Sequence, residues 1–282
     1  MADNSQQIME WNGAMGQRWA TMQREIDGIV VPFGDAALKV ASPQAGERVV
    51  DVGCGCGDTS IEIARTVGTA GAVLGVDVSQ PMLDVARSRG ELAELANLSF
   101  CEGDASNVAL PPNTDLLYSR FGVMFFSDPP QAFAHMRKAL RAQGRCVFVC
   151  WRTPRENSWA TTPLSSARAA MGATPAPGDP NAPGPFAFAD DQRVRDILTK
   201  AGFDAISMTR FDAPVFLGAT PRAAAENAAR IGPVSRFVRE TGIEHLPVVL
   251  AALEKTFVPL AASDGRIALN GSTWIVSATN PG

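Results

Sequence analysis

The stretch VVDVGCGCGDTS, residues 49–60, holds the residue types and spacing most suited to chemistry. An apolar run that reads as a buried strand ends in Asp51, glycines follow at 53, 55 and 57, and Asp58, Thr59 and Ser60 open a helical pattern. Glycine adopts backbone angles closed to other residues and lets a ligand touch the main chain. A strand, a glycine turn and a helix N-terminus in that order therefore suit a ligand gripped by backbone groups. A dinucleotide would need the spacing GxGxxG, and the third glycine position counted from Gly53 and Gly55 is Asp58. A carboxylate there repels a pyrophosphate and tolerates a cation, so the loop favours a cationic nucleoside over NAD. A tight strand-to-helix turn without any ligand is the alternative.

S-adenosylmethionine, with a sulfonium and an ammonium, is a ligand of that kind. Asp51 is placed to hold the ammonium directly or through a water, as a charge-assisted contact. In VLGVDVSQPML, residues 73–83, Asp77 ends a second strand 20 residues beyond Gly57, where an acidic side chain can accept both ribose hydroxyls. Ser79, ahead of Gln80 and Pro81, is the better candidate to cap the following helix, and Val78 and Met82 could flank the adenine. In SFCEGDA, residues 99–105, Asp104 ends a third strand and could accept from the adenine amino group, with Ala105 beside it. Any one of these aspartates could be an ordinary loop or capping residue. Three acidic strand ends in order are far harder to produce by chance.

The remaining reactive residue types are sparse. Cys54, Cys56, Cys101, Cys146 and Cys150 show neither CxxC pairing nor a nearby histidine cluster, so they read as small buried side chains and no metal is expected. Of the two histidines, His135 falls in an amphipathic helix and reads as structural; His245 opens a helix, either as a surface residue or as a base facing an acceptor. Trp151 and Arg152 end the fifth strand, on the edge where open α/β sheets bind ligands. Arg152 there could orient an anionic or carbonyl group, with Phe121, Met124, Phe125 and Trp159 as an apolar wall or as core packing.

The elements that must position these residues read as follows. From Arg48 onward, short apolar runs alternate with amphipathic stretches, the βαβ signature of a parallel sheet. The expected strands are 49–52, 72–76, 98–101, 116–121, 145–151, a strand near 205–211, and 272–279. A helix is expected from Pro129, with Phe133, Met136 and Leu140 on one face, and another over 190–202 stopped by Gly202. Trp11, Met15, Trp19, Met22 and Ile26 fall on one helical face, as core packing or as a lid. Five prolines in residues 172–188 imply an extended surface loop, and residues 221–262 read as helices broken at Gly232, Gly242 and Pro247, forming a cap.

Composition excludes several partners. The chain has 282 residues, 46% of them hydrophobic and 19% charged, which suits a globular protein with a substantial core. A net charge of -4 leaves no excess of basic residues to neutralise phosphates, so no nucleic acid is expected. The N-terminus MADNSQQIMEWNG lacks a leader pattern and no run of about 18 apolar residues occurs, so a cytoplasmic protein with no membrane partner is expected.

Residues 48–151 resemble the class I S-adenosylmethionine-dependent methyltransferases. DVGCGCGDTS, SRFGVMFFSDPPQAF, CVFVCWR and the N-terminal WNGAMGQRWA resemble in particular the bacterial branch related to quinone-biosynthesis (UbiE-like) methyltransferases. The resemblance implies a Rossmann-like α/β fold: a seven-stranded, mostly parallel sheet with a reversed last strand and helical cap insertions. It implies Gly53 and Gly55 beside the methionine moiety, Asp77 on the ribose, Asp104 on the adenine, and Ser119 and Phe121 near the sulfonium. It also implies an N-terminal lid bringing Trp11 or Trp19 to the cofactor. The domain reading that follows is a lid over 1–42, a binding core over 43–218, a cap over 219–264 and a last core strand over 265–282. The expected reaction is direct methyl transfer to a small-molecule acceptor held under the cap, needing no protein nucleophile. A non-catalytic S-adenosylmethionine-binding regulatory protein and an NAD(P)-dependent oxidoreductase are the rival readings.

Overall fold

The computed structural model describes residues 4–174 and 178–282; residues 1–3 of the expected lid and 175–177 of the proline-rich stretch lie outside the described residues. Three helices open the chain, α1 (Ser5–Asn12), α2 (Ala14–Thr21) and α3 (Gln23–Ala41). Alternation then begins with β1 (Arg48–Val52), α4 (Asp58–Val67), β2 (Ala72–Asp77), α5 (Gln80–Leu92) and β3 (Leu98–Glu102). It continues with β4 (Thr114–Arg120), α6 (Pro129–Arg137) and β5 (Leu140–Trp151). The remainder is α7 (Ser158–Ala170), α8 (Asp191–Lys200), β6 (Asp204–Gly218), α9 (Pro221–Arg230), α10 (Gly232–Thr241), α11 (Leu246–Phe257) and β7 (Ile267–Thr279).

The seven strands form one sheet in the order β3-β2-β1-β4-β5-β7-β6. Strands β1 to β5 pair in parallel, Val50 lying opposite Leu74 on one side and Leu117 on the other. The last strand is reversed: Asn280, just past its end, donates to the carbonyl of Gly144 near the start of β5, whereas Ser272 accepts from Arg152 at the far end of that strand. The order reverses between β1 and β4, and open α/β sheets bind ligands at the carboxyl ends of the strands beside such a switch.

The chain divides into two compact units. The first comprises residues 1–150, 181–211 and 273–282; the second comprises 151–180 and 212–272. In the first unit α3 is a packing helix, with Phe33, Ala37 and Ala41 inaccessible to solvent. Phe33 meets Phe121 and Phe211 edge-on, each at 6.0 Å between ring centres. Across the sheet Phe133, Phe148, Phe188 and Phe203 form an aromatic cluster. In the second unit α7, α9, α10 and α11 accompany the outer halves of β6 and β7, with Val249, Leu253 and Phe257 of α11 fully buried. No helix among the described residues is long and apolar enough to cross a membrane.

Several sequence expectations are corrected. The stripe from Trp11 to Ile26 is not one helix: Gly13 turns to an extended conformation, ψ -151°, and a second break falls at Met22. Helix α6 begins at Pro129 as expected, capped by the Asp128 carboxylate, but Leu140 belongs to β5. Gly232 and Gly242 interrupt the C-terminal helices with positive φ; Pro247 instead occupies the first turn of α11, where its missing N–H had no helical partner.

At the switch point β1 and β4 approach closely. A methyl group on Gly53, whose φ is +67°, would lie 2.7 Å from the Cα of Gly122, and one on Gly122 would lie 2.7 Å from the carbonyl oxygen of Val52. Gly53 is therefore required for its left-handed backbone and for the space. Gly53→Ala combines left-handed strain of about 1–2 kcal/mol with overpacking of about 1–3 kcal/mol. Urea denaturation is expected to show a loss of at least ~2 kcal/mol; an unchanged midpoint would mean the two strand ends are not close-packed.

Candidate functional site

The site is built from the strand ends around this switch. Gly53, Gly55 and Gly57 all have positive φ, and the amides of Gly53 and Cys54 both donate to the carbonyl of Val76, binding the loop to the end of β2. Met82, buried on α5, places its terminal methyl 2.8 Å from where a side chain on Gly55 would begin. Cys54 and Cys56 pack in the same loop, and burial pushes the Cys56 thiol up to about 12, so it carries no thiolate chemistry near neutrality.

Asp51 is fully buried at the end of β1. Its Oδ2 accepts from the hydroxyls of Thr59 at 2.7 Å and Ser60 at 2.6 Å, and its Oδ1 has no hydrogen-bond partner. Burial raises its pKa, against the lowering effect of the two hydroxyls. A buried carboxylate oxygen without a donor is costly, and a cationic or N–H group would relieve it. The residues thus fit a ligand with an ammonium group.

Asp77 ends β2 with both oxygens engaged: Oδ2 accepts from the Gly55 amide and Oδ1 from the Ser79 amide, each at 2.8 Å. Burial again raises its pKa, and the Ser79, Gly55 and Val78 amides oppose that. Each oxygen keeps a second lone pair, so the carboxylate can still receive hydroxyls. Asp77 is also a structural clasp between β2 and the glycine loop, a task the sequence did not reveal. Ser79 stands at the N-cap of α5 but does not cap it: its hydroxyl donates to the carbonyl of Trp11 at 2.7 Å.

Asp104 is buried beside Ala105. Its Oδ1 accepts from the Ser106 amide at 2.8 Å, and its Oδ2 accepts from the side-chain amide of Asn4 at 2.8 Å. Asn4 also accepts from the Ser127 amide at 2.7 Å. Trp11 meets Trp19 and Phe125 edge-on, both at 5.3 Å. The N-terminal segment therefore touches the turns after β2 and β3, and Asn4 is a contact that no motif announced.

Asp58 has a different task from the one expected. It forms a closed ring of ion pairs with Arg89, Arg120 and Asp27: Asp58 to Arg89 at 2.9 Å and to Arg120 at 3.0 Å, Asp27 to Arg89 at 3.1 Å and to Arg120 at 2.9 Å. Arg89 also donates to the carbonyl of Cys56 at 2.8 Å. Two guanidiniums thus neutralise the Asp58 charge on which the argument against a pyrophosphate rested. Burial works against the charged form of Arg120, but Asp27 and Asp58 outweigh it and hold the guanidinium protonated.

Other expected positions are also reassigned. Ser119 is buried, donates to the Val52 carbonyl at 2.7 Å and accepts from the Gly122 amide, so its hydroxyl is committed to the β1–β4 junction. Phe121 adopts φ 63°, a left-handed conformation unusual for an aromatic residue, while its amide pairs with the carbonyl of Val149. Met124 is buried in the first unit as packing. In the second unit, buried Arg152 pairs with Asp212 at 2.8 Å and with Glu156, so carboxylates of its own unit receive the guanidinium expected to orient a substrate. Trp151 and Trp159 pack together at 4.8 Å, and the Trp159 indole donates to Asn157. His135 contacts the carbonyl of Val108 at 2.8 Å, and His245 lies part-exposed at the start of α11.

Comparison with known proteins agrees with this geometry. Residues 49–144 match the family model described as a methyltransferase domain. The chain is 32% identical over 137 residues to aklanonic acid methyltransferase DauC of Streptomyces sp. (strain C5), a match covering 48% of this chain and 62% of that protein. It is also 32% identical over 130 residues to demethylmenaquinone methyltransferase of Listeria welshimeri, covering 46% of this chain and 55% of that one. The chain thus spans less than two thirds of the length of these relatives. Among solved structures, the YcgJ protein of Bacillus subtilis superposes with a TM-score of 0.59 at 17% identity, covering 88% of this chain and 98% of that one, a likeness of fold. Residues 49–144 are thus similar to a methyltransferase domain, set in a fold shared with the YcgJ protein.

Proposed function

We propose that this protein binds S-adenosylmethionine at the ends of β1, β2 and β3 and transfers its methyl group to a small-molecule acceptor. The observation that carries the reading is the buried, unpartnered Oδ1 of Asp51 beside a glycine loop of three left-handed residues. When bound, the cofactor supplies an electrophilic methyl on a sulfonium. The chain's residues bind and orient. Asp51 receives the ammonium, Asp77 the ribose hydroxyls through its remaining lone pairs, and Asp104 with Ala105 the nucleobase edge. Gly53 and Gly55 bring the backbone against the amino-acid portion, while Val78 and Met82 line the base.

Displacement at a methyl group needs alignment and exclusion of water rather than a protein nucleophile. Trp11, packed edge-on against Trp19 and Phe125, is suited to exclude water from that side. Two relatives named for aklanonic acid and demethylmenaquinone favour a small-molecule acceptor.

Calorimetric titration with S-adenosylhomocysteine, alongside a labelled-methyl assay over a panel of small acceptors, tests this directly. Saturable binding of the adenosyl ligand, none of NAD at equal concentration, and methyl transfer to at least one acceptor are expected. Binding of NAD in preference would overturn the cofactor assignment.

Asp51→Asn separates recognition from folding. Loss of a charge-assisted contact worth about 1.5–3 kcal/mol should weaken S-adenosylhomocysteine binding by ~10-fold or more. Because Asp51 has a raised pKa in the folded state, the protonated form binds its proton more tightly folded than unfolded. The stabilising contribution is therefore present at low pH and lost as pH rises through the folded pKa. Relative to Asp51→Asn, the wild type should gain stability as pH falls from neutrality toward the ordinary aspartate value near ~4. A pH-independent difference with unchanged affinity would make Asp51 a plain packing residue.

A further inference from the structure

The asparagine of the WNG motif near the N-terminus reaches the turn after β2, beside Asp77. Asn12, the last residue of α1, donates from Nδ2 to the carbonyl of Val78 at 2.7 Å and accepts at Oδ1 from the amide of Gln80 at 3.0 Å. The same Nδ2 lies 3.1 Å from the carbonyl of Ile8 in its own helix. Gln80 is the first residue of α5, and its amide is one of the donors that a helix leaves without an internal partner. An N-cap side chain serves the second or third amide of a helix, and here the Ser79 hydroxyl is turned instead to the carbonyl of Trp11. A carboxamide 68 residues away in sequence supplies a cap at the first amide, that of Gln80.

This cap bears directly on Asp77. Between Asp77 and Gln80 the Ser79 amide is held by the Asp77 carboxylate, and the groups on either side, the Val78 carbonyl and the Gln80 amide, are both held by Asn12. A carboxamide offers a donor and an acceptor in one rigid plane, so it fixes the two backbone groups relative to each other. Asp77 is anchored by the amides of Gly55 and Ser79, and the Ser79 amide belongs to the same peptide group as the Val78 carbonyl that Asn12 holds.

We infer that Asn12 is a positioning residue for the nucleoside half of the cofactor, setting the Asp77 carboxylate through the β2–α5 turn; the inference rests on the function proposed above. Asn12→Ala removes both contacts. Asn12→Asp keeps the acceptor for Gln80 but sets a carboxylate oxygen against the Val78 carbonyl.

The test is calorimetric titration of the full chain with S-adenosylhomocysteine, at a temperature where circular dichroism shows each variant folded. Asn12→Ala is expected to weaken binding by about 10-fold, Asn12→Asp by an intermediate factor, and Asp77→Asn to make the protein largely insensitive to Asn12→Ala. A role confined to stability would lower the melting temperature and leave the folded protein's affinity at the wild-type value, overturning the inference. Independent, multiplying effects of Asn12→Ala and Asp77→Asn would overturn it too. If Asn12→Ala does not fold, the Asn12→Asp and Asp77→Asn pair gives the same decision. Failure of the wild type to bind would count against the proposed function, whereas binding by wild type and Asn12 variants alike would count against this inference alone.

Discussion

Four charges, Asp27, Arg89, Asp58 and Arg120, close into a ring with ion-pair distances of 2.9–3.1 Å, and the binding end of the sheet depends on it. Each comes from a different place: Asp27 from α3, Asp58 from the start of α4, Arg89 from α5 and Arg120 from the end of β4. Every guanidinium meets both carboxylates, so the group is neutral and no charge is left unpaired. Side-chain exposures of 12–26% put these pairs in a setting where screening is weaker than at an open surface. Isolated surface pairs contribute little, but a closed, part-buried network is a case where removing one member strands the others.

The ring also explains how an N-terminal helix becomes part of the sheet's packing. Helix α3 is fastened near its start by Asp27 and at its end by Arg145, which donates to the carbonyls of Ala41 and Ser42 while its guanidinium grips Glu47. Between these points Gly34 lies against the stem of Arg120, and its carbonyl accepts from the buried Tyr118 hydroxyl. With α3 fixed, α1 and α2 extend toward the turns after β2 and β3, where Asn4, Trp11 and Asn12 make their contacts. Electrostatically the ring neutralises Asp58, whereas Asp51, Asp77 and Asp104 are held by hydrogen bonds from hydroxyls and amides.

The sheet was legible because a parallel strand with its following helix leaves a strong local pattern: apolar run, turn residues, amphipathic stretch. Asp51 and Asp77 near the ends of β1 and β2 were legible for the same reason, since strand ends can be counted, whereas Asp104 lies in the turn two residues past the end of β3. Side-chain directions were not. Ser119, Met124 and Arg152 lie at the expected elements, yet a hydroxyl committed to Val52, a methionine inside the core and an arginine between Asp212 and Glu156 follow from tertiary packing. Asp58 was misread because its partners lie 31 and 62 residues away, and no local rule links them. Ser79 shows the limit at a single residue: the N-cap position was right, but Trp11 offered a competing acceptor.

A double-mutant cycle on Asp27 and Arg120, followed by urea denaturation and by hydrogen exchange of the amides in α3 and the glycine loop, measures the ring most directly. Asp27→Asn and Arg120→Gln should each destabilise the protein, and the double variant should lose less than the two together, by a coupling of at least ~1 kcal/mol. Exchange should rise in both segments in each single variant. Additive losses within about 0.5 kcal/mol, with exchange raised only in the segment carrying the substitution, would contradict the ring as the constraint that unites them.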